Sequence, residues 1–148
     1  MSKTLPDEVV SAPETSWLRL ADLRREQKFV PHDYPPLGYT GPDTPEDLAP
    51  LTEIVNVAID GVLALKAETL SASAVRFILS RADEQVRMFA TEDRDRVWGY
   101  LVEVWYIMGF HVPLFGGTYG EHFQIPDGYS DPLPPGWMTP DRPRPLVF

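Results

Sequence analysis

Apolar residues recur at helical spacing through the middle of the chain and lose that period toward both ends. Leu51, Ile54, Val55, Ala58, Val62 and Leu65 follow at steps of 3, 1, 3, 4 and 3, which places them on one face of a helix. Val75, Ile78, Leu79, Ala82, Val86 and Phe89 repeat those steps, as a shared amphipathic period rather than a sequence repeat. Val97, Leu101, Val104, Trp105 and Met108 form the inner face of a third helix, but Trp98, Tyr100, Val102, Tyr106 and Ile107 fall off that stripe. A helix apolar on most sides is buried on most sides. Two short neighbours cannot cover it, so the remaining cover is expected from the chain's own arms or from a partner.

The boundaries carry start and stop signals. Thr44-Pro45-Glu46-Asp47 combines a capping threonine, a first-turn proline and acids near the positive end of the helix dipole, with Pro50 setting the regular helix back by a turn. Ser71-Ala72-Ser73 restarts the chain, Thr91-Glu92-Asp93 caps the third helix, and Gly109 stops it. The short connections predict a mainly α fold: a small antiparallel three-helix body over about residues 45–109, with extended proline-rich N- and C-terminal arms.

In the N-terminal arm, residues 1–14 read as polar and extended. A short helix is expected near residues 16–28, capped by Thr15 or Ser16, with Trp17, Leu20, Ala21 and Leu23 on one side and Arg19, Arg24 and Arg25 on the other. Residues 29–45 have neither a helical nor a strand period and read as a strap with turns at Gly38 and Gly41. Its Phe29, Val30, Tyr34, Leu37 and Tyr39 are too apolar for a free linker and need a surface to lie on.

Proline sharpens this division. All 16 prolines lie outside residues 51–112, eight on each side. Proline fixes φ and lacks an N–H, so it is excluded from helix interiors and central strands. The reading is therefore a continuous chain of three parts: 1–45, an arm with a short helix; 46–109, the helical body; and 110–148, a second arm rich in proline, glycine and aromatics. A body of about 60 residues is near the lower limit for a self-sufficient core and needs help from the arms or from another subunit.

The net charge of −9 repels nucleic acid and anionic membranes and suits a basic partner, although it also serves simple dispersal. Without cysteine, disulfides, thiolate catalysis and Cys-ligated metal centres are excluded. No run approaches a membrane span, and residues 1–8 lack the apolar centre of a signal peptide, so a soluble protein located in the cytoplasm or in a virion is expected.

Candidate chemistry is sparse. His111, Glu121 and His122 flank the turn Gly116-Gly117-Thr118-Tyr119-Gly120, yet they match neither His-Glu-x-x-His nor a helical pair four apart. The same glycines lack the Lys-Ser/Thr pair of a phosphate loop. Glu103, the only acid between Val97 and Phe110, is expected to face solvent or to pair with Arg76, Arg81 or Arg87. Arg94 and Arg96 sit among acids and read as a solvated, salt-bridged face. No catalytic residue, cofactor or metal is assigned.

The proline partition, the apolar tail and the nearly all-apolar third helix point instead to a structural or accessory subunit. Its arms would clamp neighbouring protein subunits of a larger assembly, a virion component or an enzyme complex, with self-association as one form of this. The expected contact residues are Tyr34, Leu37 and Tyr39 in the strap, Trp98, Tyr106 and Ile107 on the third helix, and Trp137, Met138, Leu146 and Phe148 in the tail, where a pre-extended segment loses little entropy on docking. An acidic inhibitor of a basic enzyme is the alternative, and a small enzyme using His111 and His122 a more distant one.

Overall fold

In the computed structural model, residues 6–31, 39–112, 114 and 115 are described. The architecture is mainly helical, as the sequence predicts, with two very short paired strands. In chain order these are β1 (Val9–Val10), α1 (Glu14–Arg25), α2 (Leu48–Leu63), β2 (Leu70–Ser71), α3 (Ala72–Gln85) and α4 (Thr91–Met108). Helices α2, α3 and α4 pack on one another, and α1 packs on α2 and α4. One contiguous apolar core runs through all four helices.

The expected inner faces hold within the helices, whereas Leu65, Val86 and Phe89, read as part of them, lie beyond the ends of α2 and α3. Leu51, Val55, Ala58 and Val62 of α2 are buried, as are Val75, Leu79 and Ala82 of α3, while Ile54 and Ile78 are half-buried against them. The close approach of α2 to α3 uses Gly61, where an added Cβ would lie 3.0 Å from Ile78 Cγ2. Gly109 ends α4 at φ 92°, a left-handed conformation that costs glycine nothing and other residues appreciably.

The helix starts agree with the sequence reading at α2 and α3 and differ from it at α1 and α4. Helix α1 begins at Glu14, because the Pro13 carbonyl accepts from the Ser16 N–H at 2.9 Å and a proline needs no N–H of its own there. At α2 the regular helix begins at Leu48, a turn after Pro45, as the placing of Pro50 leads one to expect. A single 3-10 turn, Pro45–Asp47, leads directly into Leu48, and Pro50 fits in the first turn, where backbone N–H groups have no intrahelical partner to lose. At α3, Ser71 is the N-cap, as read, and accepts from the Ala74 N–H at 3.2 Å, whereas α4 has Ala90 as its N-cap with no side-chain cap, so Thr91 opens that helix without capping it.

The extended N-terminal segment does not stand away from the body. Val9 pairs with Ser71 and Val10 with Leu70 in an antiparallel ribbon, and the Ala72 N–H donates to the Glu8 carbonyl at 2.7 Å. Asp7 then accepts from the Ser73 N–H and hydroxyl at 3.0 and 3.2 Å, which satisfies an orphan donor at the start of α3. Trp17, Leu20 and Leu23 of α1 are buried, so this helix completes the undersized core rather than lying outside it.

Candidate functional site

At the two ends of α4, polar side chains tie segments distant in sequence to the helix. At its N-terminal end, Asp93 is 1% exposed. Its carboxylate accepts from the Tyr39 hydroxyl at 2.8 Å and from the Asp43 N–H at 3.0 Å. An acid in the first helical turn also opposes the positive end of the dipole. The Arg96 guanidinium lies 5.6 Å from the centroid of the Tyr39 ring and 5.5 Å from that of Tyr100, within cation–π range of both.

One turn farther along, the Tyr100 hydroxyl accepts from the Phe29 N–H at 2.9 Å. Phe29 holds φ of 61°, an unfavourable value for a residue with a bulky Cβ substituent. Its ring is compensated by burial to 2% and by a tilted contact with Tyr100 at 5.2 Å. Just before it, Lys28 is buried and its ammonium donates to the carbonyls of Leu23, Arg24 and Glu26 at 2.6, 3.2 and 3.0 Å. A cation on the last carbonyls ends α1 and turns the chain toward α4.

At the C-terminal end of α4, Glu8 is the centre. Its carboxylate accepts from the backbone N–H of His111 at 2.6 Å and of Val112 at 3.3 Å, and lies 3.0 Å from His111 Nδ1. Burial pushes the Glu8 carboxyl up, but the hydrogen bonds from His111 and Val112 together outweigh it and hold the group below its ordinary value. Arg76 of α3 reaches the same place: Nη1 donates to the Pro6 carbonyl at 2.6 Å, and Nε donates to the Leu114 carbonyl at 2.9 Å. Its guanidinium lies 5.2 Å from the centroid of the Trp105 ring, and Trp105 in turn donates its indole N–H to the Val112 carbonyl at 2.8 Å and stacks on Phe110.

This arrangement fastens chain segments, and no group of three or more His, Asp or Glu among the described residues could hold a metal ion. His111, one member of the expected histidine cluster, is held by Glu8, while Glu121 and His122 lie outside the described residues. After Phe110 the chain bends at residues 112, 114 and 115, with the Val112 N–H and carbonyl taken by Glu8 and Trp105. Glu103 is fully buried, which corrects the expectation that it faces solvent. Arg76, named among its expected partners, donates to two backbone carbonyls.

The expected contact residues separate into three groups. Tyr39, Tyr106 and Ile107 are buried at 6%, 2% and 1% within the chain itself. Burial pushes the Tyr106 phenol up, and burial followed by the Asp93 contact does the same to Tyr39. Trp98 is half-buried, with its indole N–H donated to Asp83 at 2.7 Å and the Phe115 ring edge-on at 4.9 Å. Tyr34, Leu37, Trp137, Met138, Leu146 and Phe148 lie outside the described residues.

Sequence reasoning missed Glu8, Arg76 and Asp93 as the groups that bind distant segments. Asp93 carried a partial signal, because its place in the first turn of a helix was legible. Nothing in the local sequence marks Glu8 or Arg76, since their partners are backbone groups about 100 and 40 residues away.

No helix among the described residues is long and apolar enough to cross a membrane. No curated protein and no solved structure matches the chain. A protein-family profile described as a domain of unknown function, DUF4844, matches residues 8–113. The match therefore begins at Glu8 and ends beside Val112, the two points that the clasp joins. Since it covers well over half of the sequence, the chain belongs to the DUF4844 family.

Proposed function

We propose that this protein is a non-catalytic structural or accessory subunit that fastens to neighbouring protein subunits of a larger assembly through its proline-rich segments. The observation that carries this reading is the position of the clasp. Glu8, Arg76 and Trp105 hold residues 111, 112 and 114 to the body, so the 33 residues that follow Phe115 start from a fixed root.

Those residues contain seven of the prolines together with Trp137, Met138, Leu146 and Phe148, and they lie beyond the family-matched stretch. A proline-rich segment on a fixed root has fewer conformations to lose when it binds, and its aromatics are the residue types that dominate interface energetics. Membership of an assembly in the cytoplasm or in a virion, and self-association, belong to the same proposal.

The test is limited proteolysis of the purified full-length chain, read by mass spectrometry, with light scattering for its mass. The expected result is cleavage beyond residue 115 and survival of a fragment spanning the family-matched residues. A full-length monomer that resists cleavage beyond residue 115 overturns the proposal, because the tail would then be part of the chain's own fold.

A further inference from the structure

Glu8 and Arg76 each touch both sides of the same crossing. Glu8 joins the N-terminal segment to the exit of α4 through the backbone of His111 and Val112. Arg76 joins Pro6, two residues before Glu8, to Leu114, two residues after Val112. Neither segment is held by one residue alone, and the indole of Trp105 ties the second to the helix between them.

We infer that residues 6–10 and residues 110–112, 114 and 115 form one cooperative latch, closed by the charge on Glu8, and that acid opens both segments together. Geometry makes the opening joint. Protonating Glu8 converts a carboxylate that serves two backbone N–H groups and an imidazole into a weaker acceptor. Releasing residues 111 and 112 also moves the Leu114 carbonyl away from Arg76, which leaves the guanidinium with one fewer anchor for the Pro6 side.

Among the described residues, the charged and titratable groups facing Glu8 are Arg76 from α3, His111 from beyond α4, and the adjacent Asp7, whose carboxylate is engaged by Ser73. Arg76 and protonated His111 favour the charged form, and Asp7 opposes it. Because the Glu8 carboxyl is held below its ordinary value of 4.5, the latch is intact above pH 4.5 and is lost as the pH falls through the lower folded value. The latch belongs to the body and does not depend on what the tail binds.

The experiment is an NMR titration of the full chain from neutral pH into acid. The backbone amides of Val9, Ala72, His111 and Val112 and the indole N–H of Trp105 are followed, with the amides of Val55 and Ile59 in α2 as controls. The expected result is one common midpoint below 4.5 for the first group and unmoved controls. In Glu8→Gln the same resonances should already hold their acid positions at neutral pH, and proteolysis between residues 110 and 115 should be about tenfold faster. His111→Ala, at an exposed position that does not threaten folding, should move the midpoint upward. Separate midpoints for the two segments, controls that move with them, or a Glu8→Gln protein that behaves like the wild type would each overturn the inference.

Discussion

The two ends of α4 perform the same task with opposite economy. At each, an acid receives donors from a distant segment: Asp93 from the strap at residues 39–43, and Glu8 from the segment after α4. Asp93 is 1% exposed, whereas the Glu8 side chain is 23% exposed and its histidine partner 58%. In the interior, a lost acceptor strands a donor with no water to replace it, so the cost is the full desolvation of that group. Near the surface, water takes over part of the lost hydrogen bonding and screens the charge. The buried end is therefore built to stay closed, and the wetter end is the one that conditions can open.

The comparison breaks first at Asp93. Asp93→Ala leaves the Tyr39 hydroxyl without its partner and should cost about 3 kcal/mol, lowering the thermal midpoint by about 10 °C. Chemical denaturation of the full chain checks this, and a loss no greater than that of a Glu8 variant would remove the distinction between the two ends.

Tyr39→Phe keeps the ring and removes only the hydroxyl, for an expected loss of about 1.5 kcal/mol. The same residue predicts an alkaline limit. Burial, and then the hydrogen bond to Asp93 and its charge, raise the Tyr39 phenol above its ordinary 10.0, and burial raises Tyr106 in the same direction. A group with a raised folded pKa contributes stability that is fully present below its unfolded value and is lost as the pH rises through the folded one. Stability should therefore decline above pH 10, and less steeply in Tyr39→Phe; equal slopes would show that Tyr39 carries none of the effect.

Glu8→Gln should cost less, about 1 kcal/mol at neutral pH, and the difference from wild type should shrink in acid. Urea midpoints of the two proteins across the acid range give both the size and the sign. The smallest effect is expected at the Arg24–Asp60 pair, 2.8 Å long but about half exposed on both sides. Arg24→Ala should change stability by less than about 0.5 kcal/mol, with no remaining difference at high salt. A larger loss there would mean that exposed pairs contribute more to this fold than the comparison between Asp93 and Glu8 implies.

The interior of α2, α3 and α4 was legible because a helix repeats every 3.6 residues, and apolar side chains at that period declare which face turns inward. The αL stop at Gly109 was equally legible, being a property of one residue. Tyr106 and Ile107 show the limit. Their apolar character announced that something covers them, but sequence cannot tell cover by the same chain from cover by a partner, and the structure assigns them to the chain's own interior.

The sequence by itself determined the helical body, its inner faces and the confinement of proline to the flanks, because propensity and period act over a few neighbouring residues. Only the tertiary structure decided that α1 completes the core, that Val9 and Val10 pair with Leu70 and Ser71, and that Glu8 and Arg76 fasten the two flanks to each other. Those contacts join residues about 40 to 100 positions apart and are made largely to backbone groups, which every residue carries. A backbone partner leaves no mark in the sequence, so such contacts become visible only when the chain is folded.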